Sequence, residues 1–369
     1  MPAGRKNLCD VTKHMIPRYS TMGTAKKGVM PSEFVDAHHH FLDTSNNDFQ
    51  SFLASLVPNE CYLAKDYEKD VVEPLREAGI RLLGSVHVEC MPDDGHRDVE
   101  WLESTCSNST IRGIVASVDL TGENVPDDLE RLCKASPRLR GIRWILDCVG
   151  PFQEGKTATH VATVRHDGID YLRGSNGGYD GEVVPAFERG FAALAQHNLS
   201  FDLQCAPIQL PAAAKLFARH PNIPVCIDHL GKPRFVLKPP GDNNNDDLTL
   251  DDAELEVWRT GMKAMAELPH VYVKLSMMGY AVPGWILTPE RTLVLKDLCH
   301  EVVQLFGPER CMIALNWWKN GALSDADGTC NVGPDPVEFV QHMSDFFADY
   351  SDDDRQRLFV GTAREFYRI

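Results

Sequence analysis

The stretch "EFVDAHHHFLD", Glu33 to Asp43, decides the fold. An apolar pair, Phe34 and Val35, leads through Asp36 into three consecutive histidines. A doubly wound dinucleotide-binding sheet needs a glycine-rich turn directly after its first strand. This stretch has none, which argues against the two-domain alternative. A strand that runs into polar side chains suits a parallel barrel, where functional groups gather at the carboxyl ends of the strands. Residues i and i+2 of a strand point the same way. His38 and His40 are therefore expected to face the barrel mouth, with His39 on the other side.

Seven further apolar, β-branched runs end in polar residues. They are "RLLGSVHVE" (81–89), "IRGIVASVD" (111–119), "LRGIRWIL" (139–146), "LSFDLQ" (199–204), "IPVCIDH" (223–229), "VYVKLS" (271–276) and "RCMIAL" (310–315). Most are apolar on both alternations, as strands buried on both faces should be. Helical spacing separates them: Val184, Phe187, Phe191 and Leu194 step by three and four, as do Leu255, Trp258, Met262 and Met265. Residues 293–306 carry Leu298, Val302 and Leu305 on one face. Asp127 and Ser351 read as N-caps. Eight strands alternating with helices predict an α/β fold, a (β/α)8 TIM barrel forming a single domain with long βα loops over residues 31–369.

Hydrophobic residues make up 43% of the 369 and charged residues 24%, which predicts a packed core. Acids outnumber Lys and Arg by 53 to 37, a net charge of −16. Such a surface repels phosphate backbones and anionic lipid, so neither nucleic acid nor a membrane is an expected partner. A small-molecule substrate is, with a homo-oligomer left open. The 11 cysteines include no C-x-x-C pair, and several sit in strand-like runs. That favours reduced thiols and a cytoplasmic location over a disulfide scaffold. Residues 1–30 hold six Lys and Arg against one acid, Asp10. They read as a basic disordered arm, or as a leader to a mitochondrion or other organelle.

Polar residues stand at nearly every strand end. The second strand offers His87 and Glu89, two apart. The fourth offers Arg143, whose guanidinium fork suits a substrate carboxylate or hydroxyl. The fifth offers Asp202 and Gln204, the sixth Asp228, His229 and Lys232, and the seventh Lys274 and Ser276. The structural alternative is that Arg143 and Lys274 simply pair with acids there.

"VDAHHHF", "IDHLGKP", "VYVKLS" and "GTAREFYRI" resemble the amidohydrolase-related TIM-barrel family. Within it they are most similar to predicted metal-dependent hydrolases grouped with sugar-lactone and dicarboxylate-lactone hydrolases. The resemblance runs from about residue 33 to the last residue and implies a hydrolase that opens a small lactone, sugar or carboxylated. It implies His38 and His40 as metal ligands or oxyanion contacts, and His229 as the sixth-strand histidine. The eighth strand departs from the family pattern. Most members place a proton-accepting aspartate where this chain has Asn316, and Trp317 to Asn320 replace a run that in some relatives carries an acid. An amide is no general base at neutral pH. Asn316 can orient a water, while the proton falls to His229, Glu89 or Asp36.

The expected mechanism has His38 and His40 polarise the carbonyl, directly or through one divalent metal, zinc or manganese, with Glu89 or His229 as third ligand. His229 takes the proton of water. Arg143, Glu89, Gln204, His87 and Trp317 are the expected substrate contacts. Three alternatives stand beside this reading. A non-oxidative decarboxylase would need a strong acid–base pair that Asn316 weakens. An amidase or phosphoester hydrolase with a doubly bridged metal would need a lysine or glutamate that "GIRWIL" lacks. A catalytically impaired binding protein is the third. The long segment 147–183 reads as a lid carrying His160, Arg165, His166 or Tyr171, or as a structural insertion. Residues 235–252 read as a solvated insertion. Trp317 and Trp318 read either as a stacking platform or as rim packing.

Overall fold

The computed structural model describes residues 27–106, 109–148, 169–233, 236–237, 249–317 and 334–369. Eight strands form one sheet in sequence order: β1 (Glu33–His39), β2 (Arg81–Val88), β3 (Ile111–Ser117), β4 (Leu139–Arg143), β5 (Ser200–Leu203), β6 (Val225–Ile227), β7 (Val271–Leu275) and β8 (Cys311–Ile313). Every neighbouring pair is parallel. The residues after β8 close the ring onto β1. Asn316 N–H donates to His38 O (2.8 Å) and His40 N–H to Trp317 O (3.0 Å), while Leu315 N–H donates to the Asp36 carboxylate (2.9 Å). The fold is the (β/α)8 barrel that the alternation predicts.

Each strand lies inside its predicted run or within one residue of it, and several are shorter. The run 139–146 stops as a strand at Arg143, although Leu146 N–H still reaches Gln204 O (2.8 Å). Among the helices are α1 (Glu73–Glu77), α2 (Gly95–Thr105), α3 (Val125–Ala135), α4 (Pro185–Ala193), α5 (Leu210–Ala218), α6 (Asp252–Ala266), α7 (Pro289–Phe306), α8 (Pro336–Phe346) and α9 (Thr362–Tyr367), with shorter ones at Ser51–Leu56, Ala64–Tyr67 and Asp352–Gln356. α4 buries Phe187 and Phe191, and α6 buries Leu255, Trp258, Met262 and Met265, the faces that their spacing predicts. Burying each such side chain stabilises the fold by roughly 1.5–3 kcal/mol.

Ser351 is the N-cap expected of it, its hydroxyl accepting from Asp354 N–H (3.1 Å). Asp127 is not a cap. α3 starts earlier, at Val125, with Pro126 in a first-turn position that needs no N–H. Asp127 then falls in that first turn, where its charge still suits the helix dipole. Gly28 N–H donates to Asp345 (2.7 Å), so the chain is already tied to α8 ahead of residue 31. The nine described cysteines are all free, and most are buried. No described helix is long and apolar enough to cross a membrane. His160, Arg165, His166, Trp318 and most of 235–252 lie outside the described residues. Tyr171 stacks on Phe187, with ring centroids 5.9 Å apart, as part of the core.

Candidate active site

The carboxyl ends of the strands carry a run of non-glycine residues in the left-handed region: Met91 after β2, His229, Leu230 and Lys232 after β6, Met277 after β7 and Asn316 after β8. L-residues rarely adopt this conformation, and it concentrates where packing must aim a side chain. In "DHLGKP", Gly231 continues the turn at φ +71°, and a Cβ there would lie 2.6 Å from the Met262 sulfur. The positive φ and the close approach to α6 together favour glycine there, and the turn presents His229 to Ser276 and Lys232 to Asp147.

At the centre lies Asp228, fully buried. Its carboxylate is 3.0 Å from Lys274 Nζ, 3.4 Å from Arg143 Nη1 and 3.5 Å from His38 Nδ1. Lys274 is likewise fully buried, and an ammonium has three protons to place. It faces three acceptors: Asp202 Oδ2 (2.5 Å), Asp228 Oδ1 and His38 Nδ1 (3.1 Å). Arg143 turns Nε toward Glu89 (2.6 Å) and Nη2 toward the Glu89 carbonyl, leaving Nη1 aimed at Asp228 and His38. The structural alternative for both cations, pairing with acids, is realised within the site itself.

Burial opposes the charge on Lys274, but Asp202 and Asp228 outweigh it and hold the ammonium protonated above its ordinary range. Burial also opposes the charge on Asp228, yet Lys274 and His38 keep its carboxyl well below the usual value. The imidazoles go the other way. Burial, then the Lys274 charge, holds His38 well below its ordinary value. Burial and Arg143 bring His40 down to about 4. Burial brings His229 to about 3 against the pull of Asp228, with Arg143 and Lys274 adding to the fall. Three neutral imidazoles thus surround a paired ionic core. The His38 ring centroid is 4.9 Å from that of His40 and 5.0 Å from that of His229. His40 Nδ1 donates to Val88 O (2.8 Å), which leaves its lone pair on Nε2. His229 Nδ1 is 2.9 Å from Ser276 Oγ. Asn316 Nδ2 meets the Met277 sulfur (3.0 Å), and its buried Oδ1 has no partner among the described residues.

The structure brings His38, His40, His229, Arg143 and Glu89 together, and it separates His87 from them. His39 and His87 are register partners across β1 and β2, so both side chains point to the same side, away from His38 and His40. His87 accepts from Phe41 N–H (3.2 Å) and packs beside His39. Glu89 lies past the last residue of β2, where strand parity no longer holds, and so escapes that side. Gln204 sits by a second buried pair, Lys232 with Asp147, at 3.5 Å from Asp147 Oδ2. Trp317 is half-buried against the core at the rim.

Of the expected metal ligands, Glu89 is engaged by Arg143, while His38 and the alternative third ligand His229 lie together. The described residues that could hold an ion are His38, Asp228 and His229, with ligand atoms within 4.8 Å of one another. Two imidazoles and a carboxylate suit zinc or manganese by donor type. Asp228 and Lys274, which lie at the heart of the site, were visible in the sequence as charged residues in apolar strand runs. Asp228 had no assigned role. Tyr67, which donates to Asp36 (2.8 Å), and Tyr280, whose ring lies 5.8 Å from His229, were not singled out.

The amidohydrolase family model matches residues 35–369. An L-fucono-1,5-lactonase from Burkholderia multivorans is 27% identical over 292 residues, covering 77% of this chain and 81% of that protein. A zinc-bound amidohydrolase structure from Burkholderia multivorans aligns with TM-score 0.63 at 22% identity, covering 91% of this chain and 99% of that one. A putative 2-pyrone-4,6-dicarboxylic acid hydrolase from Pseudomonas putida aligns with TM-score 0.58 at 16% identity, covering 91% and 97%. At these identities the two structures speak to the fold alone. The family match spans the barrel from β1 to the last residue: the chain belongs to the amidohydrolase family.

Proposed function

We propose that the protein hydrolyses a small, uncharged sugar lactone at the His38–Asp228–His229 cluster. The observation that carries this reading is the convergence of neutral imidazoles and the Arg143 Nη1 group on one buried carboxylate at the barrel mouth. The 27% identical L-fucono-1,5-lactonase supports it. Arg143 Nη1 is placed to stabilise the oxyanion that forms when water adds to the lactone carbonyl. His229, neutral because it is buried, accepts the proton of that water. Its low basicity rises as negative charge develops beside it. Ser276 holds the ring through Nδ1, and Asn316 Oδ1 is free to accept from the water or a substrate hydroxyl. A divalent cation held by His38, Asp228 and His229 would supply Lewis-acid polarisation of the carbonyl, and His229, its lone pair then committed to the ion, would not be the base.

Among the described residues, Arg143, Lys274 and Lys232 each already face a carboxylate. Against these residues an anionic substrate would find no uncommitted cation, which is costly in a buried site. That favours neutral over carboxylated lactones. In a panel of both, kcat/KM should be about tenfold or more higher for neutral five- or six-membered sugar lactones. The double variant His38→Ala/His40→Ala should lose the activity. Equal or better turnover of carboxylated lactones would reverse the substrate assignment, and silence across the panel from folded protein would remove the lactonase reading.

The charge that a metal would offset on Asp228 is already offset by Arg143 and Lys274. Chelation should therefore leave hydrolysis within about threefold of its starting rate. A loss restored by zinc or manganese would assign the polarising role to the ion.

A further inference from the structure

Barrel interiors are filled by layers of branched apolar side chains. This one carries ionic groups below its mouth, and they connect to the far end of the chain. Arg368 donates to the carbonyls of Arg140 (2.9 Å) and Asn198 (3.0 Å), near the starts of β4 and β5. The chain's last turn, α9, thus lies by the amino ends of the strands, opposite the catalytic mouth. From there the fully buried Tyr367 donates its hydroxyl to Asp202 Oδ2 (2.8 Å). The same oxygen meets Lys274 Nζ at 2.5 Å. The ammonium also lies 5.5 Å from the centre of the Tyr367 ring, so the ring and its hydroxyl's partner both face Lys274. Lys274 continues to Asp228 and to His38 Nδ1. An unbroken polar line therefore runs from the last turn of the chain to the catalytic imidazole.

We propose that Tyr367 is a positioning residue for the catalytic centre, acting through Asp202 and Lys274 on His38 and Asp228. This rests on the lactone-hydrolase reading for its kinetic consequence, though not for its geometry. Asp202 has two oxygens and a free torsion. The Tyr367 hydroxyl fixes which oxygen faces the ammonium. With Asp202 fixed, one ammonium proton is committed to it and a second to Nδ1 of His38, while the ammonium stays ion-paired with Asp228 at 3.0 Å. Both cations at the ring can only donate, and the closer one, Lys274 at 3.1 Å from Nδ1, sets the placement: Nδ1 accepts, and the His38 proton goes to Nε2, where Arg143 Nη1 stands farther off at 3.5 Å. Burial holds the Tyr367 phenol protonated well past its ordinary range, so it remains a donor. A phenylalanine keeps the ring and the packing and removes only the hydroxyl. Asp202 is then free to turn, the ammonium loses its fixed third acceptor, and the His38 ring loses its single proton placement.

The test is Tyr367→Phe, read two ways. The first reading is steady-state kinetics on the lactone that wild type turns over best. The second is the imidazole nitrogen NMR spectrum of histidine-labelled protein, with the His38 signals identified by their loss in His38→Ala. The expected result is a fall in kcat of about tenfold with KM within about twofold, and a shift of both His38 nitrogens toward averaged tautomers. Asp202→Asn, which breaks the same link from its other side, should move the His38 signals in the same direction. It serves as the second variant if Tyr367→Phe folds poorly. Unchanged His38 signals overturn the proposal whatever happens to the rate, because a loss of rate alone would be ordinary destabilisation. Shifted signals with unchanged kcat overturn it too. If wild type hydrolyses nothing in the panel, the lactone reading fails by itself. The His38 spectrum then decides the positioning link, with no shift counting against it.

Discussion

Lys274→Met should lose about 3–5 kcal/mol of stability at neutral pH, the usual result of removing one partner from a buried ionic group. The methionine fills most of the lysine volume, so the loss is electrostatic rather than a cavity. In wild type the ammonium lies between the carboxylates of Asp202 and Asp228, both fully buried. Without it, each carboxylate must keep its charge with one fewer partner or take up a proton. Arg143 still touches Asp228 and the Tyr367 hydroxyl still touches Asp202, which keeps the loss from being larger. The pH dependence separates this account from a packing defect. In wild type, Lys274 has a raised folded value, so its contribution is fully present below the ordinary lysine value of 10.5 and fades as pH rises through the folded value. Asp228 has a depressed one, so its contribution is present above the ordinary 3.8 and fades as pH falls. In the variant the two carboxylates, each short of a cation, are pushed up relative to wild type and gain stability as pH falls and they protonate. The gap between wild type and variant, measured by denaturant unfolding, should therefore narrow from pH 8 to pH 5. A gap that stays constant over that range would assign the loss to packing.

The same lysine shows what could and could not be read from the sequence. Its charge in the apolar run "VYVKLS" marks it as unusual, and pairing with an acid was one of its two readings. Which acid, and that the pair would sit under a catalytic histidine, depends on how β5, β6 and β7 line up. That register is a tertiary fact with no local signature. The strands themselves were legible because both faces are buried, which leaves continuous apolar runs. The parity of β1 was legible too, since a period of two needs no partner to define it. His87 was misplaced for the complementary reason. Its parity is set by pairing with His39 across β1 and β2, while Glu89, one residue past the strand, is held by Arg143. Asp228 was visible, but a carboxylate next to a histidine gives no hint that two cations from β4 and β7 will converge on it. Tyr367 was the least legible. It lies over 90 positions from Lys274 and over 160 from Asp202, in a terminal helix that enters the sequence reading only through the motif "GTAREFYRI", which assigns it no role.

His229→Asn should reduce kcat/KM by about a hundred- to ten-thousandfold, the range spanned by loss of a positioned general base, while leaving the fold intact. The choice of asparagine matters. His229 sits at φ 57°, in the left-handed region, where asparagine is among the few residues tolerated without added strain. Alanine would mix a backbone penalty with the chemical loss. Asparagine retains a group that can reach Ser276 Oγ, so the turn "DHLGKP" keeps its anchor, but an amide does not take up a proton at neutral pH. The imidazole is held neutral chiefly by burial, with a value brought down to about 3, so wild-type His229 is in the form that can accept a proton across the whole ordinary pH range. The wild-type rate should accordingly show no acid limb from this residue near pH 6, where an exposed histidine would give one. Arg143 and the neutral His38 and His40 are untouched by the substitution, so substrate binding should be nearly unchanged and the loss should fall on kcat. Activity within a few fold of wild type in His229→Asn would take the proton from His229 and pass it to Asp36. Burial raises that carboxyl to about 6, and it accepts from the Tyr67 hydroxyl and the Leu315 N–H.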